Sequence, residues 1–300
     1  MHNLLAVVVS YGGSAQLQHL LSTLAAIPGC RVALVENHPA TAHPAPPPGV
    51  EVHQGHGNVG YGTAVNLAVA RTVGDGWTPG WLLVVNSDIT IPPDTRDMLP
   101  KLLADVPDEV DALGFPIRTE TGQPGRGAAV LPTRLTNIYT TVRGEAAAVA
   151  RWPELKYPIG AFFAIRTGTF LRLGGFDPSY WMYYEETDLF TRLRAAGGRV
   201  AWVDDDWHVR HVGGGTVGRS GVLYAELGRS AAIYARRHRQ AVGRSWPAVH
   251  AIQLLVLVLR KLLTGRPHDA MRAAKILTGL AAGLARPDWE PASRSAWPSG

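Results

Sequence analysis

Trp81-Leu82-Leu83-Val84-Val85-Asn86-Ser87-Asp88 is the stretch on which the fold turns. Its five apolar residues run without a polar interruption, which suits a strand buried on both faces in a parallel sheet covered by helices. Asn86-Ser87-Asp88 then sets a carboxylate just past the strand end. In open α/β sheets that is where ligands bind. An Asp there also serves as an ordinary turn or cap residue, so the neighbouring segments carry the decision.

Upstream, residues 4–9 form a similar apolar run, followed by a helix predicted over 15–26. A second strand at 32–35 ends in Glu36-Asn37, and 50–52 is a shorter third. Pro44, Pro46, Pro47 and Pro48 mark a surface loop between them. Gly55-His56-Gly57-Asn58-Val59-Gly60-Tyr61-Gly62 opens a helix reaching about residue 72. It does not match the dinucleotide fingerprint after a first strand; its glycines are read as letting backbone approach a nucleotide or sugar closely. Downstream come a helix over 95–104, strands over 111–115, 159–165 and 199–203, and a helix over 222–239. Residues 118–152 show little periodicity and are expected to be loose. Alternating strands and helices predict an α/β fold with an open, mostly parallel sheet flanked by helices. Glu36, Asn58 and Asp88 should then converge on one crevice at the strands' carboxyl ends.

Trp181-Met182-Tyr183-Tyr184-Glu185-Glu186-Thr187-Asp188-Leu189 carries the chemistry. Three carboxylates fall within four positions, at the predicted start of a helix whose dipole tolerates negative charge. Capping explains one acid; three repel one another, and such crowding marks a metal, a cationic partner or a carboxylate tuned as a base. Asp204-Asp205-Asp206 and His211, beside Gly213-Gly214-Gly215, follow the last strand.

Composition narrows the classes. At 300 residues and 46% hydrophobic, the chain can bury a full core. A single cysteine, Cys30, excludes an internal disulfide framework and points to a reducing, cytoplasmic setting. Residues 4–9 are too short and lack the basic flank of a signal peptide. The net charge of +5 is uneven: from Glu226 onward there are 12 basic against 4 acidic residues. No nucleic-acid motif accompanies that basic tail, and a peripheral contact with an anionic membrane fits better. The apolar run at 251–259 is too short to span a bilayer. With a second patch at 276–284, it reads equally as a surface anchor or as an ordinary helical hairpin.

The order of these motifs resembles that of the inverting family-2 glycosyltransferases of the GT-A fold, in their rhamnosyltransferase-like branch. The resemblance covers residues 4–239 and rests on Val8-Val9-Ser10-Tyr11, Val35-Glu36-Asn37, Asn58-Val59-Gly60-Tyr61-Gly62 with Asn66, and Asn86-Ser87-Asp88. It continues through Gly160-Ala161-Phe162-Phe163-Ala164-Ile165-Arg166, Gly174-Gly175-Phe176-Asp177, Tyr184-Glu185-Glu186-Thr187-Asp188-Leu189 and His211-Val212-Gly213-Gly214-Gly215-Thr216. The chain then divides into a catalytic domain over 1–220, a C-terminal helical extension over 221–285 that is membrane-associating or an ordinary hairpin, and a Pro-, Trp- and Ser-containing loose tail over 286–300. Ser10, Tyr11 and Glu36 would border the nucleoside, with Asn58, Gly60, Tyr61, Asn66, Asn86 and Ser87 completing the donor site. Asp88 and His211 would hold a divalent cation, Mg2+ or Mn2+, against the diphosphate. Gly160 and Ala161 would line the donor sugar and acceptor. Glu186 would be the base, with Glu185 or Asp188 able to share that role.

Three positions depart from the family pattern: Glu36 and Glu186 stand where Asp is usual, and Gly12 replaces a common Asn. The implied reaction moves a sugar, rhamnose from dTDP-rhamnose, to a glycan or polyprenol-linked acceptor. The rivals are a non-catalytic glycan- or nucleotide-binding relative and a sugar nucleotidyltransferase. The latter would want Lys or Arg in the loop after the first strand, and residues 10–14 have neither.

Overall fold

The computed structural model describes residues 3–39, 46–211 and 221–289. The Gly213–Gly215 run and Thr216 therefore lie outside the described residues, as does the end of the expected tail. In chain order the first half comprises β1 (Leu4–Ser10), α1 (Ala15–Ala25), β2 (Cys30–Glu36), β3 (Val50–His53), α2 (Tyr61–Gly74), β4 (Trp81–Asn86), β5 (Ile89–Thr90), α3 (Pro93–Ala104), β6 (Ala112–Gly114), β7 (Ile117–Arg118) and β8 (Ala128–Val130). Then follow α4 (Arg134–Arg143), α5 (Glu145–Arg151), β9 (Lys156–Pro158), β10 (Phe162–Arg166), α6 (Thr167–Arg172), α7 (Glu185–Ala195), β11 (Val200–Trp202), β12 (Val209–His211), α8 (Gly221–Arg237), α9 (Arg239–Val242), α10 (Trp246–Leu263) and α11 (Pro267–Ala285).

Seven strands form the main sheet in the order β11-β6-β10-β4-β1-β2-β3. All run parallel except β10, which is antiparallel to both β4 and β6. The carboxyl ends of six strands and the amino end of β10 therefore share one edge. β1 shows why its run is apolar throughout. Leu4, Ala6 and Val8 join a core with Leu17, Leu21 and Leu24 of α1, while Leu5, Val7 and Val9 join another with Ala64, Val65 and Ala68 of α2. Burial on both faces removes the polar alternation of a one-sided strand.

The structure corrects three expectations. Residues 118–152 are ordered into β7, β8, α4 and α5. Thr133 and Thr136 cap α4 reciprocally, and β8 pairs with β9; short strands and a polar helix escape a hydrophobic-periodicity reading. The strand expected over 159–165 begins only at Phe162, as β10; Ile159, Gly160 and Ala161 lie between it and β9. The apolar run at 251–259 belongs to an 18-residue helix, α10, of mean hydropathy 1.4, long and apolar enough to cross a membrane by length and composition alone.

The C-terminal helices are not a loose appendage. Tyr234 of α8 and Trp246 of α10 share a buried cluster with Tyr180, just ahead of the acidic stretch. α8 and α11 approach backbone to backbone: a Cβ on Gly228 would overlap the Ile276 carbonyl, and one on Gly279 the Ala225 carbonyl.

Candidate active site

The site lies along the shared edge of the sheet. At one end, Ser10 of β1 is in register with Glu36 of β2. Glu36 is buried, and its Oε1 accepts from the amides of Gly12 (2.9 Å) and His38 (2.7 Å). Gly12 has φ +91°, a left-handed conformation that favours glycine and accounts for its presence there. Ser10 Oγ donates to Gly12 O at 3.0 Å, and Tyr11 packs edge-on to His38 with centroids 4.9 Å apart. Glu36 thus shapes the loops after β1 and β2.

The glycine loop before α2 answers to the protein. A Cβ on Gly60 (φ +86°) would overlap the Trp181 carbonyl oxygen, and one on Gly62 would lie 2.9 Å from Phe176 Cβ. Tyr61 N donates to Trp181 O at 3.0 Å, and Trp181 Nε1 to Asn58 O at 3.1 Å. Gly60 N donates to the Asn58 side chain at 3.2 Å. At Gly60 and Gly62 the expectation that the glycines admit a ligand gives way to a closer one: they admit the strap 176–185, whereas a Cβ on Gly55 or Gly57 would meet open space. Asn66 likewise has another task than contacting a donor. Its amide pairs with both backbone groups of Phe176, donating to O at 2.7 Å and accepting from N at 3.0 Å.

In the middle of the edge, Asn86 N donates to Ala161 O at 2.9 Å, carrying Gly160 and Ala161 alongside Asn86, Ser87 and Asp88. A small sheet, β5-β12-β7, then does what chain order alone cannot. β12 pairs antiparallel with β5, setting His211 opposite Ile89. His211 Nε2 consequently lies 3.0 Å from Asp88 Oδ1, both side chains about one-quarter exposed. An oxygen and an imidazole nitrogen so placed suit a divalent cation whose other positions go to phosphate oxygens and water. Two ligands at right angles, each about 2.1 Å from one ion, stand about 3 Å apart. Among the described residues no group of three or more His, Cys, Asp or Glu is placed so that it could hold a metal ion.

Across from this pair stands the start of α7. Tyr183 and Tyr184 both have φ +67°, the only non-glycine residues among those described with positive φ. Such backbone costs on the order of 1–3 kcal/mol each, and here it turns the chain directly into Glu185 and Glu186. The two acids part company. Glu185 is buried beneath Gly62, 3.3 Å from where its Cβ would be, and its Oε2 has no hydrogen-bond partner. Burial, then the Glu186 charge, push its carboxyl well above the usual glutamate range. Glu186 is half-buried and its Cδ lies 3.8 Å from where a Gly160 Cβ would be. Burial raises its carboxyl too, against the backbone amides of Glu186, Thr187 and Gly160 and the charge of Arg126.

Tyr61 joins the two halves. Its hydroxyl donates to Gly160 O at 2.8 Å. Burial and the charges of Glu185, Glu186 and Asp88 push that phenol well above its ordinary range, so it stays a donor. Asp188 does not reach the edge. It is buried, with Oδ1 2.7 Å from His238 Nε2 and Oδ2 2.6 Å from Arg192 Nη2. Arg192 in turn donates to the carbonyls of Leu173 and Gly175. Asp188 therefore anchors the strap, and the expectation that it shares the base's role gives way.

Sequence reading missed Arg126. It lies between Gly125 and Gly127, bonded to Glu145 at 2.8 Å, with its charge felt at Glu186. The flanking glycines were the available signal: a Cβ on Gly127 would lie 2.9 Å from Phe115 O.

No family profile matches the chain. Over 222 residues, 66% of the chain, it is 28% identical to the N-acetylglucosaminyl-diphospho-decaprenol L-rhamnosyltransferase of Mycobacterium tuberculosis, covering 72% of that protein. Over 44 residues, 15% of the chain, it is 46% identical to rhamnosyltransferase WbbL of Escherichia coli K12, covering 17% of that protein. Among solved structures it superposes on glucosyl-3-phosphoglycerate synthase of M. tuberculosis with a TM-score of 0.52 and 12% identity, covering 79% of this chain and 80% of that one. It also superposes on GalNAc-T7 with a TM-score of 0.51 and 14% identity, covering 80% of this chain but spanning only 51% of that one. The structural likenesses establish the glycosyltransferase A fold.

Proposed function

We propose that this chain, a GT-A-fold relative of bacterial rhamnosyltransferases, is an inverting, metal-dependent glycosyltransferase. It moves rhamnose from dTDP-rhamnose to a lipid-linked or cell-surface glycan. The observation that carries the reading is the meeting of Asp88 and His211, 123 residues apart in sequence and 3.0 Å apart in space, on the edge that also holds Glu186.

In this reading the nucleoside lies over the ends of β1 and β2, beside Tyr11. Asp88 and His211 would hold a Mg2+ or Mn2+ ion, which supplies charge neutralisation for a departing diphosphate. Gly160, without a side chain, leaves room for the sugar between Tyr61 and Glu186. Glu186 accepts the proton of the acceptor hydroxyl as that oxygen forms its bond to the anomeric carbon. The bond to the nucleoside diphosphate breaks on the opposite face, giving inversion in one displacement. Tyr61, fixed to Gly160 O, holds the wall between the base and the metal side. A thermal-shift panel tests this. UDP, GDP and dTDP with and without Mn2+ should yield one nucleotide whose stabilisation needs metal. Asp88→Asn should lose the metal-dependent part. Stabilisation by sugar alone, indifferent to nucleotide and metal, would instead indicate a carbohydrate binder.

The same reading extends to an anionic membrane surface. Ile252, Leu255, Val256, Leu259, Leu262 and Leu263 of α10 are exposed, as are Leu135, Ile138 and Val142 of α4. Arg260 and Lys261 lie in the last turn of α10, and Arg143 in that of α4. Apolar side chains rimmed by Arg and Lys suit an interface with acidic lipid headgroups. Removing α10 would expose the fully buried Trp246, so surface changes make the cleaner test. Ile252→Glu with Leu259→Glu should reduce flotation with phosphatidylglycerol vesicles at least tenfold and leave the melting temperature unchanged. Equal flotation of both proteins would remove the membrane from the account.

A further inference from the structure

A cavity of about 440 Å³ opens where the second half of α8 meets the strap and the segment after α11. Arg229, Arg236 and Arg237 of α8 line it, with Ser179 of the strap and Asp288 beyond α11. That sets three guanidiniums against one carboxylate, in a volume within the range of small-molecule sites. None of the residues placed on the sheet edge lines it.

Arginine in the last turn of a helix offsets the helix dipole, which accounts for Arg236 and Arg237. It does not account for Arg229, about two turns earlier and only 7% exposed. Arg229 is fixed by three bonds: Nε donates to Trp289 O at 2.7 Å, and Nη1 donates to Ser179 O and Glu226 Oε1, each at 3.2 Å. A guanidinium has five N–H donors, so the two on Nη2 are left without a partner among the described residues.

The charges are unequally matched. Glu226 pairs with Arg229, and Asp177 pairs with Arg237 at 2.8 Å, while Arg237 Nη2 also donates to Ser179 Oγ at 2.7 Å. Arg236 forms no ion pair among the described residues; it donates to the Gly283 carbonyl. Burial, then the charge of Arg229, hold its guanidinium below the ordinary range, a repulsion that an arriving anion relieves. Asp288 is exposed, and its charge reaches Arg236 without an ion pair.

We propose that Arg229, Arg236 and Arg237 bind a phosphate group, carried by a soluble phosphate ester or by a lipid headgroup. The planar fork of a guanidinium matches phosphate oxygens in paired hydrogen bonds, and Arg229 Nη2 and Arg236 have donors to spare. This site is separate from the edge where a nucleotide is proposed to lie, and it stands without that reading. Arg229 and Arg237 also hold Ser179 and Asp177. A phosphate seated here therefore bears on the strap that leads into Glu185 and Glu186.

Calorimetry on the full chain, with EDTA present, tests the site with inorganic phosphate, glycerol 3-phosphate and dihexanoyl phosphatidic acid. Saturable phosphate binding is expected, weakened about fivefold or more in Arg236→Gln by the loss of charge-assisted bonds. Asp288→Asn removes the one competing carboxylate and should tighten binding about twofold, a gain that a misfolded chain cannot mimic. Glycerol 3-phosphate and the phosphatidic acid carry the same group, without and with acyl chains. Affinity no better for the lipid assigns the site to a soluble ester, and a preference for the lipid assigns it to a headgroup. Hydrogen exchange gives the location: phosphate should slow exchange in 177–180 and 229–237 and leave 86–89 unchanged. No saturable binding up to about 10 mM phosphate, wild-type affinity in Arg236→Gln, or protection confined to 86–89 would each overturn the proposal and leave these arginines as anchors of helix and strap.

Discussion

Glu186→Gln is expected to cut sugar transfer on the order of 10³-fold, the scale of a lost general base, with metal-dependent nucleotide binding kept within a few-fold. Gln matches the shape of Glu186 but cannot take a proton. Only Glu186, of the three acids at the start of α7, is both partly exposed and beside Gly160. Because burial raises its carboxyl, the wild-type rate should fall on the acidic side at a pH above that of an ordinary glutamate. The sign follows from the required state: the base works ionised, so activity is lost as pH drops through the raised value. Glu185→Gln should cost far less, since Glu185 is buried away from the edge and an amide of similar shape fills its place. Measuring kcat for both variants across pH separates the two acids. Unchanged turnover in Glu186→Gln would move the base elsewhere.

Asp188→Ala should instead unfold the strap, at about 3–5 kcal/mol, the cost of leaving a buried charge without its partner. For a domain of this size that is on the order of 10 °C in melting temperature. Asp188 lies between His238 of the α8–α9 joint and Arg192, and Arg192 holds the carbonyls of Leu173 and Gly175. Removing the carboxylate strands the guanidinium and loosens the turn ahead of Tyr183 and Tyr184. Burial alone would raise this carboxyl, but His238 and Arg192 overcome it and hold it below the usual aspartate range. Its contribution is therefore present above about pH 4, the unfolded value, and is lost as pH falls through the depressed one. Asp188→Asn should remove that acid-side dependence. A melting temperature within 2 °C of wild type for Asp188→Ala would show that the anchor is unimportant.

The parts of this account legible in the sequence are those decided by local pattern. β1 and β4 announce themselves because both faces are buried and every residue is apolar. The positions of Glu36 and Asp88 follow, since polar residues must begin where the sheet ends. What pattern could not supply was contact. Gly60 and Gly62 are glycines because Trp181 and Phe176 press on them, and a sequence does not say what meets a missing Cβ. Glu185, Glu186 and Asp188 look alike as a string. A helix turns about 100° per residue, so one points to the cleft while the other two are buried. α4 and α5 were missed because α4 is stabilised by a threonine capping pair and short β8 by β9, neither of which raises hydrophobic periodicity. The placement of Arg126, just ahead of β8, depends on the β8–β9 pairing, which no local signal reveals.

Asp88 and His211 are expected to share one ion beside the base. Anomalous scattering from crystals soaked in Mn2+ and a nucleoside diphosphate tests it most directly. One manganese peak within coordination distance of both Asp88 Oδ1 and His211 Nε2, bridged to the diphosphate and facing Glu186 across the sugar position, is the expected result. A nucleotide bound on the same edge with no manganese at Asp88, or manganese only elsewhere, would contradict it.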